Sequence, residues 1–180
     1  MDYHYHLTVV SRDDSVKPVD LAMAKADLDV TFADDDALIE DHLASATSWV
    51  ENYLNQFLVP VVLRLYAGTL PSIFYLPRGP VREVTTITVD GVAVAGFRTI
   101  AGSSYAVLPP EASPWPATAN RMGSVIEYQA GYAVGTVPAR FLAAIKAVLS
   151  IYYDKPTGNE LASQWAAVER MLGPSRWRSI

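Results

Sequence analysis

Apolar residues recur at helical spacing toward both ends of this chain and give way to short β-type runs in the middle. In "KPVDLAMAKADLDV", Asp20 stands where an N-cap belongs, and Leu21, Ala24 and Leu28 then share one face, which predicts a short helix over about 20–29. The strongest helical signal is "FADDDALIEDHLASATSWVENYLNQFL". There Leu38, Ile39, Leu43, Ala46, Trp49, Val50, Tyr53, Leu54 and Phe57 repeat with helical period. Asp34 to Asp36 lie at its start, where carboxylates suit free N–H groups and the helix dipole, and Pro60 is expected to end it.

Between about 61 and 135 the period shortens. "VVLRLYAGTL", "SIFYLP", "REVTTITVDGVAVAGFRTI", "SYAVLP" and "SVIEYQAGY" are β-branched and aromatic and are cut by Gly and Pro. Val84, Ile87 and Val89 break strict alternation, which predicts a bulge near Thr85–Thr86, and Asp90-Gly91 signals a two-residue turn. Residues 109–123 read as a proline-rich loop. Helix then returns: Pro138 opens a stretch with Phe141, Leu142, Ile145, Val148, Leu149 and Tyr152 on one wide face. A last helix follows Asn159 as N-cap, buries Leu161, Trp165, Val168 and Leu172, and stops at Gly173-Pro174. The expected fold is therefore α+β and mainly helical, a small helical bundle of two N-terminal and two C-terminal helices with a β-rich insertion over 61–135. Residues 1–17 read as an N-terminal arm and 173–180 as a free C-terminal docking tail of one 180-residue domain.

Composition narrows the chemistry. Hydrophobic residues at 51% and charged residues at 18% give enough apolar surface for a proper core and argue against disorder. No cysteine is present, which removes disulfides, thiolate metal sites and catalytic thiols. The N-terminus has no signal-peptide pattern and no run has membrane-helix length, so a soluble protein made in a cytoplasm is expected. Net charge is −5 but uneven: residues 1–60 hold 12 acids and 3 bases, whereas 61–180 hold 7 acids and 11 bases. Such asymmetry suits head-to-tail association, and an acidic chain does not suit a protein that grips phosphates.

Candidate reactive residues are sparse. His4 and His6 stand two apart without a third ligand nearby, His42 sits beside Asp41 on the long helix, and the Asp34–Asp36 run lacks calcium-loop spacing. Ser45, Thr47 and Ser48 lack nucleophile-elbow glycines, and Gly102-Ser103-Ser104 lacks the lysine of a phosphate loop. Glu83, Glu111 and Glu127 are the acids from which a glycosidase pair would have to be drawn, and nothing in their spacing sets that distance. No enzyme, metal or cofactor is expected. The tail "GPSRWRSI" differs: Arg176 and Arg178 flank Trp177, Arg170 lies about two helical turns before it, and Arg and Trp are enriched at binding hot spots. These four residues are the candidate partner-binding set.

"PVDLAMAKADLDV", "DDDALIEDHLASATSWVENYLNQFLV", "LPRGPVREVTTITVDG" and "SVIEYQAGYAVGTVPARFLAAIKAVLSIYYDKP", in that order, resemble the head–tail connector (adaptor, or head-completion) proteins of long-tailed bacteriophages and gene transfer agents. The resemblance runs from about Pro18 to the C-terminus. It implies a structural virion protein at the head–tail interface, assembled in the host bacterial cytoplasm. It implies a ring, commonly dodecameric, beneath the portal protein, which extends the DNA channel and meets head-closure (stopper) or tail proteins. DNA would be non-specific cargo, and no membrane is involved. The segment Gly173–Ile180 would reach the portal through Arg176, Trp177 and Arg178, with Arg170 before it as a further portal-binding residue, and "LPRGP" would form a strand corner with Gly79 at positive φ. The alternatives are a tail-completion protein lower in the stack and, from another class, a carbohydrate-binding module or small glycoside hydrolase using Trp115, Tyr105, Tyr128 and Tyr132.

Overall fold

The computed structural model describes residues 4–102 and 104–177. Helix α1 (Leu21–Asp27) starts where the sequence places it, the Asp20 carboxylate accepting from the Met23 N–H at 2.7 Å. Helix α2 (Asp36–Leu54) is shorter than its periodicity implies. Asn55 turns left-handed at φ 54° and ends the helix well before Pro60, so Phe57 leaves the helical face and packs under the strands. The aspartate run does more than cap. Asp35 makes no side-chain cap bond but accepts from the Tyr153 hydroxyl at 2.7 Å, and Asp36 pairs with Lys25. Helix α3 (Ala139–Asp154) follows Pro138, and α4 (Gly158–Leu172) follows Thr157 rather than Asn159. A 3-10 turn, Gly173–Ser175, completes the last helix.

Among the described residues, eight strands form two antiparallel sheets. They are β1 (Tyr5–Arg12), β2 (Val61–Ala67), β3 (Phe74–Tyr75), β4 (Val81–Val89), β5 (Val92–Ala93), β6 (Arg98–Ile100), β7 (Ala106–Leu108) and β8 (Ser124–Ala130). The larger sheet has the order β1-β2-β8-β4-β5 and the smaller β3-β7-β6. Period-two alternation sets the register: Val61, Leu63, Leu65 and Ala67 of β2 point inward, with Tyr128 opposite Leu63 and Ile126 opposite Leu65. On β4, Val84 faces Tyr128 and Ile87 faces Ile126, and the register shift between Val84 and Thr86 is the bulge expected there.

These strands correct the expected architecture. The fold is mixed α+β, but it is not a two-plus-two helical bundle carrying a β insertion. The sheets have a core of their own, including Leu63, Leu65, Val107, Ile126 and Tyr128, beside a helical core of Ile39, Val50, Phe141, Ile145, Val148 and Leu149. Each such fully buried side chain contributes about 2 kcal/mol, so neither layer is an appendage of the other. Strand β1, from the polar segment read as an arm, is the edge of the larger sheet and precedes every helix. Its sequence carries little alternation because much of it faces solvent, and its partner β2 lies about fifty residues on, beyond local pattern reading.

One ion pair ties the layers. Glu51 of α2 is buried and accepts from Arg12 Nη1 at 2.8 Å and from the Leu58 backbone N–H at 2.8 Å. Both bonds satisfy a carboxylate that would otherwise be costly to hide.

Candidate functional site

The corner "LPRGPVRE" and the C-terminal segment meet at the end of α2. The last turn of α2 leaves free carbonyls, and the Trp177 N–H donates to the Leu54 carbonyl at 2.7 Å. The Trp177 indole is buried, its Nε1 donating to the Leu76 carbonyl at 3.2 Å. Gly79 faces that ring so closely that a Cβ would lie 2.6 Å from it. The corner glycine is therefore set by close approach, not by the expected positive φ; the Gly79–Pro80 bond is cis.

Side-chain amides close the joint. Asn55 Nδ2 donates to the Pro77 carbonyl at 3.0 Å, and Gln56 Nε2 donates to the Ser175 carbonyl at 2.6 Å. Gln56 Oε1 accepts from the Tyr132 hydroxyl at 3.1 Å, and the Phe57 N–H donates to the Gly79 carbonyl at 2.9 Å. Three distant stretches, 54–57, 76–80 and 175–177, thus form one hydrogen-bonded clasp. Arg78 lies over the Phe57 ring at 4.3 Å and donates from Nη2 to Asn52 Oδ1. Burial holds its guanidinium below the usual value, opposed by the charge of Glu51.

The candidate residues part company here. Trp177 belongs to the sheet core, which corrects the reading of a free tail as far as Trp177, while 178–180 lie outside the described residues. Arg176 is exposed, 6.0 Å from the centre of the Tyr53 ring, and Arg170 is exposed on α4 with its Nε donating back to the Ala166 carbonyl. Neither makes an ion pair among the described residues, and Arg178 lies outside them. Sequence reading missed Asn55, Gln56 and Leu76 as the seat. The available signal was Asn55, a residue that tolerates the left-handed C-terminal position.

Other candidates are placed as structure. His4 and His6 are exposed on or beside β1, and His42 lies 6.1 Å from the Tyr152 ring. Glu127 pairs with Arg64 across β2 and β8 at 2.8 Å, which raises the Arg64 value chiefly through that hydrogen bond. Trp115, Tyr105 and Tyr128 are buried, Trp115 Nε1 donating to the Pro71 carbonyl at 2.7 Å, so their faces are not available to stack on a sugar. Among the described residues, no group of three or more His, Cys, Asp or Glu is arranged to hold a metal, and no helix is long and apolar enough to cross a membrane.

The chain superposes on solved chains from gene transfer agent particles. It matches one from the neck of an empty particle computed with C6 symmetry (TM-score 0.77, 20% identity, 97% of this chain and 96% of that one). A second comes from the neck of a native particle computed with C12 symmetry (TM-score 0.76, 21% identity, 97% and 96%). A third comes from the virion of a native particle (TM-score 0.69, 20% identity, 97% and 95%). At these identities the likeness establishes a shared fold over nearly the whole chain. No curated protein matches the sequence. The match of residues 18–107 to the family described as phage gp6-like head-tail connector protein, half of the chain and spanning α1 through β7, carries the assignment. This chain belongs to the phage gp6-like head-tail connector protein family.

Proposed function

We propose that this head–tail connector works as a ring beneath the portal protein of a phage-like particle, lengthening the DNA channel and offering its far side to a head-closure or tail component. Its part in the particle is structural. The observation that carries the reading is the family match over residues 18–107, which takes in α1, α2 and the corner, joined to whole-chain similarity to proteins of gene transfer agent necks computed with C6 and C12 symmetry.

The surface of the chain suits cyclic assembly. A ring needs a heterologous contact, with two different patches per subunit. The acids concentrate around α1 and the start of α2, where Asp29, Asp34 and Asp41 make no ion pair among the described residues. Bases outnumber acids over residues 61–180, 11 to 7, so the two signs of charge fall on different stretches of the chain, and a net acidic ring lets DNA pass without gripping it.

For the portal contact we assign Arg170, Arg176 and Arg178 as the cations that meet the portal and Trp177 as the residue that seats their segment. The test is composition of purified particles. The account expects this chain in every particle that holds portal and tail, at one copy per portal subunit. Particles with portal and tail but without this chain would overturn it. Binding to tail-tube or terminator subunits with no affinity for portal would instead place the chain lower in the stack.

A further inference from the structure

Four partly buried rings pack in a row against the helical core. Trp49 stacks on Tyr53 at 5.2 Å with 18° between planes, Trp165 of α4 lies 4.7 Å from Trp49, and Tyr152 lies 6.2 Å from Trp165. All four are only half-buried, whereas the other two described tryptophans, Trp115 and Trp177, are buried. Helix α4 packs on α3 and meets α2 through these rings and the Tyr53 hydroxyl, which donates to the Glu169 carbonyl at 3.3 Å. At the end of the ridge stands Arg176, over Tyr53, with Arg78 beyond it on Asn52.

We propose that this ridge, centred on Trp49, Tyr53 and Trp165 with Arg176 at its end, is where the chain receives an acidic segment of the portal protein that carries apolar side chains. The inference rests on the portal reading above and moves the aromatic anchor from Trp177, whose ring is committed to its own core, to rings that solvent reaches. Indole, phenol and guanidinium groups are the side chains most often found at the energetic centre of protein interfaces. Charge complementarity names the occupant: Arg176 is exposed and has no carboxylate partner among the described residues, and the half-buried Arg78 adds a second cation beside it. A partner offering carboxylates beside aliphatic or aromatic side chains satisfies both halves of the surface, and the seated Trp177 holds Arg176 in place to meet it.

Hydroxyl-radical footprinting of the full chain, alone and bound to portal, tests this without altering the fold. Oxidation of Trp49 and Trp165 is expected to fall roughly fivefold or more on binding, as for side chains at a desolvated interface centre, while Trp115 and Trp177 stay unchanged. Arg176→Glu, a surface change, is expected to weaken portal binding about thirtyfold, the scale of one interface hot-spot contact. Unchanged reactivity of Trp49 and Trp165 in a formed portal complex would overturn the ridge while leaving the portal reading intact. Protection already complete in an oligomer of this chain without portal would also overturn it, assigning the ridge to subunit contact. Absence of any complex between the wild-type chain and portal would instead defeat the portal reading, and the proposed occupant with it.

Discussion

The indole of Trp177 rests against the Cα of Gly79, and the gap between them is too small for a methyl group. This contact joins the C-terminal segment to the corner between β3 and β4 and explains why the corner carries glycine. Gly79→Ala is expected to push the ring out of its slot and cost about 1–3 kcal/mol, the usual range for overpacking a core. Trp177→Ala is expected to cost about 3 kcal/mol or more. Removal of 174–180 should therefore lower stability rather than leave the fold untouched. Urea midpoints of the three variants check this, and a truncation as stable as the full chain would contradict it.

Arg12 and Glu51 supply the second prediction. Arg12→Ala leaves the buried Glu51 carboxylate with the Leu58 N–H but without its counter-charge, and a loss of about 3 kcal/mol is expected. Because Arg12 ends the edge strand β1, amide exchange along residues 5–12 should accelerate more than exchange in α3. Equal acceleration everywhere would show that the pair stabilises the whole fold without tethering the strand.

Tyr128 gives a pH dependence. Burial pushes its phenol well above the ordinary value, and Tyr132 is raised by the same cause. The folded state therefore keeps protons that the unfolded chain releases near pH ~10. That stability is complete below the unfolded value and is lost as pH climbs above it. Denaturation midpoints should be flat from neutrality to about pH 9 and then fall. Tyr128→Phe should make the alkaline fall shallower, and an unchanged slope would rule Tyr128 out as its source.

Much of this fold is legible in the sequence where the signal is local. Asp20 caps α1 because a carboxylate three residues before an N–H is a local geometry, and Ile39, Leu43 and Val50 mark the buried side of α2 by period alone. The bulge between Val84 and Thr86 shows as broken alternation. What escapes the sequence is long-range. Residues 5–12 become a strand only because Val61–Ala67 lies ready to pair with them, and Trp177 is buried only because Gly79 leaves room. The candidate site divides on the same line: a tryptophan between two arginines has the composition of a docking anchor, and nothing nearby in sequence shows that a glycine about a hundred residues earlier already holds it.

The arginines themselves make a fourth prediction. Replacing Arg170, Arg176 and Arg178 together by alanine should weaken portal binding most at low salt, because exposed charges are screened over about 8–10 Å at physiological ionic strength. The wild-type affinity should fall as salt rises and the variant's should barely move. Parallel salt curves for the two proteins would show that these side chains make no ionic contact.

The most direct test of a connector ring is native mass spectrometry of this chain alone and after mixing with its portal protein. The account predicts a multi-subunit complex in the mixture that holds one copy of this chain for each portal subunit. A folded monomer in both samples would contradict it.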